Sequence, residues 1–148
     1  VYATKNKDKK IHKSVGDYLE IEKKNKLDKY STYLEFAKKV QDTKYKSLEM
    51  INKIKLENKK IIGFGAPAKA TTILNYFGLG EKDFLFTIDD NSLKQNKFIP
   101  GTGIQIKNID DINPNDYEYV LVLAWNFFDV IKKNNQEYFK NSQFIKLK

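Results

Sequence analysis

The sequence predicts an α/β protein, a three-layer sandwich with a mostly parallel sheet that follows an N-terminal helical connector. Two observations support this prediction. Apolar residues recur at intervals of three or four through residues 14–58, as in an amphipathic helix, and short apolar runs alternate with helical segments through residues 59–148. Strands that alternate with helices are typical of parallel sheets covered by helices on both faces. Residues 1–13 are polar and lack periodicity, which indicates a flexible lead-in.

The composition limits the classes of protein to which the chain can belong. Its 148 residues suffice for one hydrophobic core, and its 41% hydrophobic content is too high for a disordered chain. No apolar run approaches the roughly 20 residues of a membrane-spanning helix, and the lysine-rich start lacks the apolar segment of a signal peptide. The chain has no Cys, and His12 alone cannot build a metal site. We therefore expect no membrane segment, no bound metal and a bacterial cytoplasmic location.

The excess positive charge lies in the N-terminal part of the chain. Residues 1–60 contain 17 Lys and nine Asp or Glu, whereas residues 61–148 contain ten of each group. Every basic residue is Lys, although Arg is the usual choice where a planar fork must grip phosphates or guanine edges. The Lys side chains fall between the apolar helical positions, which favours a solvated outer face. We therefore do not expect nucleic acid as a partner.

The individual elements can be predicted from periodicity and turn residues. The connector is predicted to contain a short helix at 15–24 and a long helix at 28–58. In the region that follows, short apolar runs indicate buried strands, and Gly, Pro and Asn mark the turns between them. In chain order these elements are a strand at 59–65, a helix at 67–79, a strand at 84–88, a loop at 91–103, a short strand at 104–106, a strand at 119–124, a helix that ends near 135 and an edge strand at 144–147.

A glycine-rich segment joins the first strand of this region to its first helix. Gly63-Phe64-Gly65-Ala66-Pro67-Ala68 satisfies the pattern G-x-G-x-x-G/A, and Asp89 and Asp90 follow about 20 residues later, as in Rossmann-like dinucleotide-binding folds. Glycines allow the backbone to approach a pyrophosphate, and the helix start supplies free N–H groups and a partial positive charge. The same glycines also suit a tight turn that binds nothing. The pattern alone leaves both interpretations open.

Residues able to contact a ligand follow three of the predicted strands, and ligands of open parallel sheets bind beyond the carboxyl ends of strands. Lys69 lies in the first turn of a helix, where a cation is unfavourable unless an anion or a carboxylate lies nearby. Asp89 can receive ribose hydroxyls or cap a turn, and Trp125 can stack on a ligand or fill the core. No catalytic Ser-His or Cys-His pair is visible. The candidate substrate-binding residues are Gly63, Gly65, Ala66, Pro67, Lys69, Asp89, Asn91, Lys94, Trp125 and Asn126.

The glycine-rich segment also resembles a more specific motif. Gly63-Phe64-Gly65-Ala66-Pro67-Ala68-Lys69-Ala70 is similar to the G-[YF]-G-A-P-A-K-[GA] motif of the C-terminal domain of sugar C-methyltransferases. The resemblance covers nearly all of residues 59–146. It continues through the segments 71–78, 89–95, 100–102 and 122–126.

The N-terminal part resembles the same family, and three departures stand out. Residues 18–54 are similar to the helical connector between the methyl-donor domain and the last domain, and residues 1–3 resemble the end of the strand that closes the preceding domain. Ser92 stands where the family usually has Pro, Asn96 where it often has Gly, and Ala70 where Gly is common. The first two departures lie in one loop and bear on the substrate contacts expected there.

The resemblance implies the substrate-side domain of a larger bacterial enzyme. Members of the family combine a cysteine-bearing zinc domain, a central domain that holds S-adenosylmethionine and this last domain, and they methylate a carbon of nucleotide-linked deoxysugars, typically 4-keto sugars. The resemblance therefore implies a chain that binds neither cofactor, is not catalytic in isolation, and has the nucleotide-linked sugar and the preceding methyl-donor domain as partners. Two alternatives stay open: a stand-alone NAD-type dinucleotide-binding module and a purely structural clamp domain.

Overall fold

The computed structural model describes residues 3–147. The interpretation of residues 1–3 as the end of a strand therefore falls on two residues outside the described range. The chain divides into two compact units, the first ending at Gln41 and the second beginning at Asp42.

The first unit is helical. Helix α1 spans Lys13–Lys24, and helix α2, which spans Tyr30–Leu56, begins in this unit and continues into the second. His12 caps α1, since its Nδ1 accepts the Ser14 N–H at 3.3 Å. Among residues 3–41 no side chain is buried. The first unit thus has helices without a core of its own.

The second unit contains a five-stranded sheet in the order β3-β2-β1-β4-β5, and every strand pairing is parallel. The predicted α/β Rossmann-like architecture is therefore confirmed, with a sheet that is wholly parallel. No helix within residues 3–147 combines the length and the apolar character needed to cross a membrane. The elements are β1 (Ile61–Phe64), α3 (Ala68–Phe77), β2 (Phe86–Ile88), β3 (Gln105–Lys107), β4 (Tyr119–Val122), α4 (Phe128–Asn135) and β5 (Gln143–Ile145).

Helices cover both faces of the sheet. One core cluster joins Ile51 and Ile54 of α2 to Leu74 of α3 and to one face of the strands. The other cluster lies on the opposite face, where Phe128 and Ile131 of α4 pack partly buried against the core. Burial of apolar side chains on both faces is what stabilises a parallel sheet. The three layers follow from these two clusters.

Two of the differences between the predicted and the observed elements have a clear structural cause. The strand expected at 84–88 begins only at Phe86, because Phe84 belongs to a turn in which the Phe84 N–H reaches the Gly80 carbonyl. The loop expected at 91–103 doubles back along β3: the Ile106 N–H donates to the Lys97 carbonyl, and Phe98 forms an antiparallel bridge with Gln105. This return covers the outer edge of β3.

Candidate functional site

The strand order creates a switch point between β1 and β4. From β1 the chain crosses to β2 on one side, and from β4 it crosses to β5 on the other side. The two crossovers diverge at the carboxyl ends of β1 and β4, which is where open α/β sheets bind ligands. The segments that leave these two strands, 65–69 and 123–127, therefore border the candidate site.

A cation and an aromatic ring meet at this switch point. The Lys69 Nζ lies 4.4 Å from the centroid of the Trp125 ring, a cation–π contact between the first turn of α3 and the turn after β4. Both residues are partly exposed. Within residues 3–147 no carboxylate oxygen lies within 4.0 Å of Nζ, and the first turn of α3 contains no acidic residue. The ammonium group thus keeps hydrogen-bonding capacity beside a helix start.

The two glycines of the motif meet different structural requirements. Gly63 is buried in β1, and a Cβ at this position would lie 2.7 Å from the Thr87 Oγ1. Gly65 has a φ of +85°, which turns the chain out of the strand, and its carbonyl accepts the Thr87 hydroxyl at 2.9 Å. The absence of a side chain at Gly63 therefore allows β1 to lie close to β2. Gly65 forms the turn that leads to Pro67, the N-cap of α3.

Asp89 closes the glycine-rich segment from the end of β2. Its Oδ2 accepts the Ala66 N–H at 2.7 Å and the Lys94 ammonium at 3.1 Å, and its Oδ1 accepts the Asn91 N–H at 3.0 Å. Lys94 also donates to the Ala66 carbonyl at 3.1 Å. The pKa of Asp89 is lowered: burial acts to raise it, but the three hydrogen bonds and the Lys94 charge outweigh burial. Ala66, Asp89, Asn91 and Lys94 thus form one network inside the chain.

This network bears on the dinucleotide interpretation. The Ala66 N–H is one of the groups that a dinucleotide-binding loop offers to pyrophosphate, and here it donates to a carboxylate. The two oxygens of Asp89, which would receive ribose hydroxyls, are also occupied. A pyrophosphate at this loop would face an ionised carboxylate. In this arrangement the residues present do not fit a bound dinucleotide.

Two further residues lie next to the switch point. Asn126 and Phe127 follow Trp125 in a short 3₁₀ turn, and both are exposed, Phe127 by 61%. Asn126 was predicted as a contact and Phe127 was not, because Phe127 resembles an ordinary apolar position at a helix start. The only signal for it in the sequence was that Phe127 directly follows Trp125 and Asn126. Phe127 is therefore a further candidate contact.

Across residues 3–147, no three His, Cys, Asp or Glu side chains are grouped so that they could hold a metal ion.

Comparisons with known proteins give the family. A sequence profile described as C-methyltransferase C-terminal domain matches residues 1–147. The chain is 30% identical over 134 residues to the C-methyltransferase NovU of Streptomyces niveus, a match that covers 90% of this chain and 32% of that protein. The chain therefore spans about a third of the length of this relative. With the profile matching almost every residue, the chain belongs to the family of C-methyltransferase C-terminal domains.

Proposed function

We propose that the chain is the substrate-side domain of a bacterial, cytoplasmic enzyme that transfers a methyl group from S-adenosylmethionine to a carbon of a nucleotide-linked deoxysugar. In this proposal the chain is not catalytic in isolation, and the donor and any zinc are held by other domains. Family membership supports the methyl-transfer part. The observation that carries the substrate part is the Lys69–Trp125 pair at the switch point.

The chemistry of the pair matches the two ends of a sugar nucleotide. A diphosphate is anionic and is attracted by the Lys69 ammonium, which has no carboxylate partner among residues 3–147. A base or a sugar ring is flat or has an apolar face, and it can stack on an indole such as that of Trp125. Asn126 adds an amide that can bond to hydroxyl or carbonyl groups of the substrate. These groups bind and orient, and none of them is proposed as an acid or a base.

The exposed surface of the first unit supports the methyl-donor domain as a partner. Clustered exposed apolar side chains mark interaction surfaces. About two thirds of the NovU relative lies outside the matched segment, and the family is described as a C-terminal domain, so we assign this surface to the preceding methyl-donor domain. The exposed apolar side chains are Ile11, Val15, Tyr18, Leu19, Ile21, Leu27, Tyr30, Tyr33, Leu34 and Phe36.

A titration of the purified chain tests the substrate part. Trp125 is the only tryptophan, so its fluorescence reports on the switch point alone. Addition of a sugar nucleotide such as dTDP-glucose should change the emission, and Lys69→Met should weaken binding by about tenfold, the loss expected for one charge-assisted contact. Lys107→Met is the matched control, because the Lys107 Nζ also lies 4.4 Å from an aromatic centroid, that of Phe86, away from Trp125.

The same titration separates the alternatives. An unchanged emission at millimolar sugar nucleotide, or equal weakening by Lys69→Met and Lys107→Met, would contradict the proposal. A response to NADH in its place would favour the dinucleotide module. In the intact enzyme, Lys69→Ala should weaken binding of the sugar nucleotide and leave binding of the methyl donor unchanged. If neither affinity changed, the purely structural clamp would remain.

A further inference from the structure

Asp89 has the sequence position of a ligand contact but not the geometry of one. It follows β2, where dinucleotide-binding folds present an acid to ribose hydroxyls. Its side chain is only 11% exposed, and both oxygens accept hydrogen bonds from the chain itself. Three of the hydrogen-bond positions of this carboxylate are therefore taken by the Ala66 N–H, the Asn91 N–H and the Lys94 ammonium. Asp89 thus binds the glycine-rich segment directly.

We infer that Asp89 is a positioning residue: through the backbone of Ala66 it fixes the segment from which Lys69 reaches Trp125. Both backbone polar groups of Ala66 are held, because its N–H donates to Asp89 at 2.7 Å and its carbonyl accepts from Lys94 at 3.1 Å. Asp89 in turn holds the Lys94 ammonium at 3.1 Å. Lys69 follows Ala66 by three positions, so the orientation of this one residue sets the start of α3.

The start of α3 depends on the contacts of Ala66 because the helix has no side-chain cap. The N-cap is Pro67, whose side chain makes no capping hydrogen bond. Gly65, immediately before Ala66, is held by its own hydrogen bonds to the Ile88 carbonyl and the Thr87 hydroxyl, so Ala66 is the residue through which Asp89 acts on the helix start. Without Asp89 the backbone between Gly65 and Pro67 gains freedom, and the Lys69 ammonium is no longer held over the indole.

A second carboxylate offers a matched control. Asp83, which precedes β2, accepts the Gly80 N–H at 3.0 Å and the Lys55 ammonium at 2.7 Å, and its side chain is 17% exposed. Its chemistry and burial are close to those of Asp89, but it lies at the other end of the strand. Asp83→Ala should therefore cost stability without moving the Lys69–Trp125 pair.

The test uses nuclear magnetic resonance on the 148-residue chain. Because the Lys69 Nζ lies 4.4 Å from the centroid of the indole ring, we expect the protons of the adjoining ε-methylene group to resonate upfield of their ordinary position. Asp89→Ala should return them to that position, while Asp83→Ala should not. Asp89→Asn should retain the upfield shift, because an amide oxygen still accepts the Ala66 N–H. Rescue by Asn would distinguish positioning from a general requirement for charge.

The positioning role of Asp89 is overturned if folded Asp89→Ala keeps the wild-type shift, or if Asp83→Ala loses the shift as well. Should Asp89→Ala fail to fold, Lys94→Met removes the second anchor of Ala66 and must reduce the shift for the inference to stand.

The functional consequence of this inference rests on the proposed sugar-nucleotide site. In the Trp125 titration with dTDP-glucose, Asp89→Ala should weaken binding by about tenfold, the loss expected when one charge-assisted contact is misplaced, and Asp83→Ala should not. If the wild-type chain binds no sugar nucleotide, the proposed function fails, while the resonance shift still decides whether Asp89 positions Lys69.

Discussion

The charges of lysine side chains are compensated differently at the two ends of the sheet. At the amino ends of the strands, lysines are paired with carboxylates: Lys55 lies 2.7 Å from Asp83, and Lys59 lies 2.6 Å from Glu57. These pairs join the end of α2 to the loop before β2 and to the start of β1. Their charges are already compensated, so this end of the sheet offers little to a charged ligand.

At the carboxyl ends, a lysine faces an aromatic ring. The Lys69 ammonium lies over Trp125, and Asp89 at the end of β2 binds Ala66 and Lys94. An ammonium group over a ring keeps its hydrogen-bond donors for another partner. Family membership alone does not indicate where a ligand binds, whereas a lysine that faces a ring and not a carboxylate favours the carboxyl ends of the strands.

The largest effect is expected from a change in the middle of the sheet, between the two ends. Gly63→Ala places a Cβ 2.7 Å from the Thr87 Oγ1 and 2.8 Å from its Cβ, so one of the two strands must shift. We expect the free energy of unfolding to fall by about 1–3 kcal/mol, as in other overpacked cores. Urea unfolding measures it. Gly16→Ala, with no atom within 4 Å of the new Cβ, is the control and should not destabilise the protein; equal losses would contradict the packing argument.

The next effect concerns pH at the carboxyl end. The pKa of Asp89 is lowered in the folded chain, so its contribution to stability is fully present above the ordinary pKa of 3.8 and is lost as the pH falls through the folded pKa. Urea unfolding followed from pH 6 down to pH 2 should show this loss in the wild type. Asp89→Asn should flatten the curve in that window, whereas Asp90→Asn, at an exposed neighbour, should leave it unchanged. Parallel curves for all three proteins would refute the assignment.

A smaller loss of stability is expected when a lysine is replaced by Met, and the size of this loss should differ between the two ends of the sheet. Lys55→Met breaks the ion pair with Asp83 and should lower the free energy of unfolding by about 1 kcal/mol or less, because the pair is partly exposed. Lys69→Met loses a cation–π contact but also removes a cation from a helix start, and the two contributions nearly cancel within about 0.5 kcal/mol. Chemical unfolding of both variants provides the test. A larger loss for Lys69→Met would mean that Lys69 serves stability.

The smallest effect on stability is expected at Phe127. Its side chain is 61% exposed, so Phe127→Ala should change the free energy of unfolding by less than about 0.5 kcal/mol. Binding of dTDP-glucose should nevertheless weaken, because Phe127 belongs to the same short turn as Trp125. Leu56→Ala, at an 84% exposed residue before β1, is the control. Unchanged affinity in both variants would remove Phe127 from the candidate contacts.

Local patterns predicted most elements of the fold. The apolar run before Gly63 and the Pro67 helix start produced β1 and α3 as expected, because each signal lies within a few residues of the element that it specifies. The return of residues 96–99 along β3 was not predicted, since it depends on pairing with a strand further along the chain. Periodicity also placed Leu34 on an apolar helix face, yet Leu34 is 52% exposed, because periodicity does not say what covers a face.

The site was predicted in part. The spacing of the motif brought Lys69 and Trp125 to neighbouring strand ends, but their contact and the missing acidic partner emerge only in three dimensions. The contact between Asp89 and Ala66 joins residues 23 positions apart and depends on the pairing of β1 with β2. For that reason a sequence pattern could not distinguish an acid that binds ribose hydroxyls from an acid that closes a turn.

The two borders of the sheet also affect how the protein behaves at high concentration. An open edge strand is a template on which another chain can add and start aggregation. The outer edge of β3 is covered by the chain that returns through Lys97 and Phe98. The outer edge of β5 is only three residues long and is followed by the exposed Lys146. One border is therefore covered and the other is short and charged, a combination that protects a parallel sheet against edge-to-edge polymerisation.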